Sequence, residues 1–239
     1  MSVDVLSFQQ SLNQLTINEG ANALFKEINA LGFINCSFIA VPSNLSEVLV
    51  NRSWACTQFS PRIESLYRSH LSHHDPILRY LKEGQRAPFL WGRHQFSGKD
   101  KLITNLFKFW GANNGLAVPY SCRNITSVLF TCAEGDYRSH DDLLLQHGAA
   151  MMAMGYVYSQ HIDEKGVIEE IYKSQGLSDR DISFLKLKGA GLIDKQAADK
   201  LNVTLDGISY YKRQIKKKLG IRDISEAVIH NNKHESLSA

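Results

Sequence analysis

The stretch from 177 to 227 constrains the fold most, because it encodes short helices separated by tight turns and ends in a basic helix. The turn signals are GAG at 189–191 and NVT at 202–204. In the last helical segment, the apolar residues that share one face are Ile208, Ile215 and Leu219. The opposite face carries Ser209, Tyr210, Arg213, Lys216 and Lys217. A short helix, a tight turn and a second helix with a basic outer face together predict a helix-turn-helix that enters the DNA major groove.

Charge is distributed unevenly along the chain. From 177 to 239 there are 12 lysines and arginines against eight acidic residues, whereas the whole chain carries a net charge of +3. Between 202 and 222 there are six basic residues and one acidic residue. Such a surplus favours contact with phosphates, because neutralising them releases counterions. A basic helix face can also be merely solvated, but the turn spacing around this helix favours DNA binding.

The same stretch carries a recurrent pattern of residues. The matches in its first helix are Leu177, Arg180, Leu185 and Gly191, with Asp181 in place of a glutamate. The matches further on are Ala197, Leu201, Val203, Ile208, Ile215, Lys218, Leu219 and Gly220. This pattern resembles the DNA-binding domain of LuxR-type regulators. The resemblance implies an all-α four-helix helix-turn-helix domain in which Ser209 and Arg213 reach base edges. A single such helix reads about half an operator, so we expect a two-fold homodimer that reads an inverted repeat.

The length and composition of the chain suit two soluble domains. We predict a small-molecule-binding domain over 1–162, a charged linker over 163–176 and the DNA-binding domain over 177–239. No apolar run reaches 18 residues, and the amino terminus lacks the basic region of a signal peptide. We therefore expect a cytoplasmic protein without a membrane span. The four cysteines show no paired metal spacing, which indicates reduced core thiols.

The first half of the chain alternates helical and strand patterns. Helical periodicity covers 3–13 and 18–30, and the strand-like stretches are 33–41, 48–56, 116–121 and 126–133. Helices at both ends of several strands predict an α/β class, with an α-β-α sandwich around an antiparallel sheet. A long helix is predicted from about 139 to 161, and we expect its apolar residues Met151, Met152 and Met154 to form a dimer surface.

A sheet covered by helices can enclose an apolar cavity, a common form of small-molecule site. The candidate lining is Tyr67, Asp75 with Pro76, Trp91 and Thr131. The order of these residues, with Gly115 between the last two, resembles the acyl-homoserine-lactone-binding domain of LuxR-type regulators. The resemblance implies that Asp75 accepts a hydrogen bond from a ligand amide. It implies also that Tyr67 and Thr131 donate to the acyl carbonyl and that Trp91 packs on the ring.

One pocket position departs from this family pattern. Four residues before Tyr67 the family has a tryptophan that holds the lactone carbonyl, and this chain has Ile63. Isoleucine cannot donate a hydrogen bond. Either another group holds the head of the ligand, or the ligand is not a homoserine lactone. Trp54 lies nine residues before Ile63, and the sequence does not assign it that role.

The remaining motifs give no support to an enzyme, a metal site or a bound cofactor. There is no glycine-rich phosphate loop, no nucleophile elbow and no metal-spaced cysteine set. Two functions stay open. The first is a ligand-responsive transcriptional regulator that binds double-stranded DNA as a homodimer. The second is a ligand-independent dimeric regulator whose amino-terminal domain is a protein-interaction module, and the change at Ile63 is the feature that favours it.

Overall fold

The computed structural model describes residues 4–43, 53–71, 75, 78–79, 83, 87–90, 105, 108, 114–133 and 137–230. In this part of the chain the amino-terminal half is built on one antiparallel sheet. Its strands are β1 (Phe33–Pro42), β2 (Trp54–Thr57), β3 (Phe89–Leu90), β4 (Asn114–Ser121) and β5 (Ile125–Ala133). They lie in the order β2-β1-β5-β4-β3, and each neighbouring pair is antiparallel. The predicted antiparallel sheet is confirmed, although the strand predicted over 48–56 is described only from Trp54.

Helices precede, interrupt and follow the strands along the amino-terminal half, and further helices form the carboxyl-terminal domain. Those whose bounds lie in the described part of the chain are α1 (Val5–Leu12), α2 (Ile17–Ala30), α3 (Pro61–Leu66), α4 (Tyr137–Glu164), α5 (Val167–Ser174), α6 (Asp179–Gly189), α7 (Asp194–Leu201) and α8 (Leu205–Leu219). A π-helical turn, Tyr67–Leu71, follows α3, and a 3-10 turn, Ile224–Ala227, follows α8. This arrangement confirms the predicted class, a mixed α/β half followed by an all-helical domain.

Strand alternation decides which side chains each face of the sheet presents. Ser127 of β5 lies 2.7 Å, oxygen to oxygen, from Ser159 of α4, so the odd-numbered residues of β5 point toward that helix. Their partners on β1 and β4, Phe38 and Tyr120, stack on this face with ring centroids 6.1 Å apart. The opposite face carries Phe130. Helices α1, α2 and α4 therefore share a core with one face of the sheet.

The long helix α4 buries two of the three methionines that we predicted to form a dimer surface. Met151 and Met154 are fully buried in the core, together with Tyr158. The prediction that these two methionines form a dimer surface is wrong, because residues spaced by three and four along this helix face the sheet. Met152 lies about a quarter turn away and is partly exposed. Among the described side chains of α4, the large apolar residues that are exposed are Leu145, Met152 and Tyr156.

The segment predicted as a linker contains helix α5. Its apolar residues Val167, Ile168, Ile171 and Tyr172 are buried. The helix packs against β1 and β2 on one side and against α6 on the other. The apolar core consequently continues from the sheet into the carboxyl-terminal domain. The domain limits themselves stay a prediction.

A polar contact also joins the two halves. Asn124, buried in the turn between β4 and β5, accepts a hydrogen bond from the His230 backbone N–H at 2.7 Å. Its amide nitrogen donates to the His230 carbonyl at 3.0 Å and to the Asp163 carboxylate at 3.0 Å. The His230 ring in turn lies 3.0 Å from the carbonyl oxygen of Gly189, at the end of α6. The end of the carboxyl-terminal helical domain is thus bonded to the sheet domain.

Candidate DNA-binding surface and ligand site

Helix α8 has one buried face and one basic exposed face. Ile208, Ile215 and Leu219 are buried, as the sequence pattern predicts. The predicted DNA-contacting residues are all exposed on the helix: Ser209, Tyr210, Arg213, Lys216 and Lys217. The structure therefore brings the five predicted residues together on one surface. Their individual contacts with bases and phosphates stay predictions.

Two other basic residues of α8 hold the domain together instead. Lys218 contacts the buried carboxylate of Asp181 in α6 at 2.9 Å. Lys212 pairs with Asp194 at the start of α7, and Lys188 of α6 reaches the same carboxylate at 3.1 Å. The hydrogen bond from Lys212, with that from Lys188, lowers the pKa of Asp194 despite some desolvation. Asp194 thus links all three helices, a role that we missed because the sequence did not show which cations fold back onto the domain.

The turn between α7 and α8 is built by specific backbone conformations. Asn202 ends α7 with a left-handed φ of 53°. Thr204 caps α8, and its hydroxyl oxygen accepts from the Gly207 N–H at 3.1 Å. A Cβ at Gly207 would lie 3.2 Å from the Cβ of Val203. Glycine therefore lets the first turn of α8 pack closely on the preceding turn.

In the sheet domain the structure brings two predicted ligand residues together. The hydroxyl of Tyr67 donates a hydrogen bond to Oδ2 of Asp75. Asp75 is buried, with 6% of its surface exposed, and Tyr67 is half-buried at the start of the π-helical turn. Ile63, one turn earlier on α3, is also half-buried. A carboxylate can accept several hydrogen bonds, so the bond from Tyr67 is compatible with a further donor from a ligand.

The other two predicted ligand residues are Trp91 and Thr131. Trp91 lies outside the described residues. Thr131 is fully buried on the face of β5 that points toward α4, and its hydroxyl lies 3.4 Å from the Leu116 carbonyl oxygen. The residue on the opposite face is Phe130, whose ring centroid is 6.4 Å from that of Phe59, just before α3. The ligand roles of Trp91 and Thr131 stay predictions.

Trp54, the tryptophan nearest to Ile63 in the sequence, lies on the face of the sheet that packs against α2 and α4. It pairs with Ala40 on β1, and paired residues share a face of the sheet. Ala40 is fully buried, and Trp54 packs against the same core, on the side of the sheet that α2 and α4 cover. Phe59 and Phe130 lie on the other side of the sheet, and α3 follows shortly after Phe59 in the chain.

The described residues show neither a metal cluster nor a membrane helix. Among them, no three histidines, cysteines or acidic residues are grouped so that they could hold a metal ion. None of the helices in the same part of the chain is both long and apolar enough to cross a bilayer.

Comparison with known proteins identifies the DNA-binding domain. Residues 175–231 match the family described as bacterial regulatory proteins, luxR family. The match begins at the end of α5 and includes α6, α7, α8 and the final 3-10 turn. No curated protein matches the chain at a significant level.

Two solved structures share the fold at low sequence identity. SdiA from Escherichia coli is 15% identical, with 94% of this chain and 95% of that chain covered and a TM-score of 0.51. The LuxR-family transcription factor CepR2 from Burkholderia cenocepacia is 14% identical, with 66% of this chain and 95% of that chain covered and a TM-score of 0.52. These shares are too large to lie within residues 175–231, so the likeness of fold extends into the sheet domain. The chain therefore carries a luxR-family helix-turn-helix domain at 175–231, and its fold as a whole is similar to that of these two proteins.

Proposed function

We propose that this protein is a ligand-responsive transcriptional regulator of the quorum-sensing type. In this proposal it acts in the cytoplasm, binds an inverted-repeat operator as a homodimer and senses an acyl-homoserine lactone or a related small molecule. The observation that carries the DNA-binding part is the exposed basic face of α8 in a luxR-family domain, with Arg213, Lys216 and Lys217 pointing to solvent.

The charge arrangement on α8 supports groove binding over a merely solvated face. Lys212 and Lys218 pair with carboxylates of the domain, whereas no ion pair is found for Arg213, Lys216 or Lys217 within the described residues. Arginine can bind guanine through two hydrogen bonds, and lysines near it can neutralise phosphates. Lys212 and Lys218 therefore stabilise the domain, whereas Arg213, Lys216 and Lys217 are available for contacts with DNA.

The sensing part rests on Asp75 and on one relative. A buried carboxylate that accepts from Tyr67 offers a strong acceptor to a ligand N–H. CepR2, which shares the fold, is described as dependent on N-acylhomoserine lactone. The side chain of Ile63 offers no donor for a lactone carbonyl, so we propose a small molecule with an amide or amine N–H and leave the lactone head group open.

The dimer part rests on the exposed side of α4. Leu145, Met152 and Tyr156 are spaced by seven and four residues, so they share one face, and their exposed fractions are 85%, 37% and 45%. We propose that a second copy of the chain covers this face. Two-fold dimers place two recognition helices about one helical turn of DNA apart, roughly 34–36 Å. Leu145→Glu should then shift the protein to the monomer in analytical ultracentrifugation, whereas the exposed Asn18→Ala should not.

Native mass spectrometry of protein purified from its own host tests the sensor proposal. A bound species of a few hundred daltons, released on denaturation, is the expected result. A folded protein that binds DNA without any bound small molecule would instead support the ligand-independent alternative, in which the amino-terminal domain only dimerises or contacts another protein. The change at Ile63 is the observation that favours this alternative.

A further inference from the structure

Two of the exposed residues on α8 contact each other. The Cζ atom of Arg213 lies 5.9 Å from the centroid of the Tyr210 ring. The two residues are three positions apart, so their side chains are neighbours on the helix surface. At this distance the guanidinium is attracted by the ring face. Arg213 therefore has an aromatic ring as a neighbour on its own helix.

The Tyr210 ring is itself connected to the core of the domain. It meets the Tyr211 ring edge to face, with centroids 6.3 Å apart and an interplanar angle of 61°. Tyr211 is partly buried and stacks on Phe184 of α6 at 6.4 Å and 29°. Phe184 is fully buried. These centroid distances are in the range of favourable aromatic pairs. Three rings therefore run from the core of the domain to its exposed basic face.

We propose that Tyr210 is a positioning residue that sets the sequence preference of Arg213. The three rings, Phe184, Tyr211 and Tyr210, form an aromatic ladder that holds the guanidinium in one place. An arginine that reads guanine must present two N–H groups in a fixed plane, and a free side chain loses rotamer freedom when it does so. Because the aromatic ladder limits the rotamers of Arg213 in the free protein, less rotamer freedom is lost on binding. This inference rests on the proposed function, since it assumes that Arg213 reads a base.

The proposal differs from a direct contact of Tyr210 with DNA. A tyrosine that touches phosphate would act through its hydroxyl, and loss of the hydroxyl would weaken binding to every sequence alike. A positioning tyrosine acts through its ring. A phenylalanine at position 210 would still position Arg213, whereas an aliphatic side chain of similar size would not. The difference would be seen in the preference among bases and not in the salt dependence.

The experiment uses full-length protein from its own host and a duplex that the wild type selects from a random library. Affinities are measured for this duplex and for its single-base variants, at two salt concentrations. Arg213→Ala marks the base pair that Arg213 reads. Tyr210→Phe should keep the wild-type discrimination at that pair. Tyr210→Leu and Tyr210→Gln should lower it about 3- to 10-fold, a size typical of cation–π contacts, with an unchanged salt slope.

Combination with Arg213→Ala completes the test. Tyr210→Leu should cause no further loss of discrimination when Arg213 is already alanine, because the ring would have nothing left to position. Wild-type discrimination in both Tyr210→Leu and Tyr210→Gln would overturn the positioning role, as would an equal loss in Tyr210→Phe. If Arg213→Ala itself changed no base preference, the proposed docking of α8 on DNA would be wrong. That outcome differs from one in which Arg213→Ala changes base preference and the Tyr210 variants do not, which would overturn the positioning role alone. Tyr210 is half exposed, and circular dichroism would verify that each variant is folded.

Discussion

Replacement of Asn124 by alanine tests how the two halves of the protein are joined. The Asn124 side chain makes three hydrogen bonds, two with the His230 backbone and one with Asp163. Asn124 and Asp163 are both buried, with 2% and 5% of their surfaces exposed. Each lost bond costs roughly 0.5–1.5 kcal/mol, and a buried carboxylate left short of a donor costs more. We therefore expect Asn124→Ala to lower the free energy of unfolding by about 2–4 kcal/mol.

Urea unfolding at fixed protein concentration measures this loss. All three tryptophans, Trp54, Trp91 and Trp110, precede the DNA-binding domain, so their fluorescence reports the amino-terminal half alone. Circular dichroism at 222 nm reports the helices of both halves. The two signals should coincide in the wild type, because the core is continuous across α5. In Asn124→Ala they should separate as the carboxyl-terminal domain unfolds independently.

Two variants control for unspecific effects. Because Asn124 holds the His230 backbone and not its ring, His230→Ala should keep these bonds and lose only the contact with the Gly189 carbonyl. Its cost should be about 1 kcal/mol or less. Asn18→Ala on the exposed side of α2 should change stability by less than about 0.5 kcal/mol. The reasoning is refuted if Asn124→Ala unfolds like Asn18→Ala, with both signals still coincident.

Five further substitutions test the DNA-binding surface and the ligand site. Arg213→Ala should cost about 1–3 kcal/mol on the selected operator and relax base preference, and equal operator affinity would contradict the docking. Lys216→Ala and Lys217→Ala should each reduce the slope of log affinity against log salt by about 1, and an unchanged slope would show that these lysines do not touch phosphate. Asp75→Asn should reduce sensitivity to a ligand with an amide or amine N–H. A folded variant with an unaltered dose-response would exclude Asp75 from the ligand site. Ile63→Trp should increase the response to acyl-homoserine lactones and weaken the native ligand by about 1–3 kcal/mol through overpacking, and a reporter assay showing neither change would exclude Ile63 from the pocket.

The sequence predicted correctly those helices and strands in which apolar residues recur at one regular spacing. The spacing of Ile208, Ile215 and Leu219 gave the buried face of α8 correctly. Alternation gave β1 and β5 nearly to the residue. These predictions succeed because a helix or strand with one buried face must repeat apolar residues at its own period.

Long-range packing explains what the sequence did not reveal. Whether Met151 or Met152 of α4 is buried depends on the rotation of a helix that is apolar on more than one side. The charged segment before 177 hid the buried face of α5, because its glutamates and lysine stand between the apolar residues. Asp194 gave no local sign that it binds Lys188 and Lys212, which are brought to it only by the packing of three helices. The missing tryptophan at Ile63 was visible, but only by resemblance to a family.

The affinity of the full-length protein for its selected operator, with and without its bound small molecule, tests the central claim most directly. Protein purified from its host would be compared with protein stripped by unfolding and refolding, on a duplex chosen from a random library. We predict that the selected duplex is an inverted repeat and that the two affinities differ by about 5- to 150-fold, the usual range of coupling between two sites. Equal affinities for loaded and stripped protein would contradict a ligand-responsive regulator.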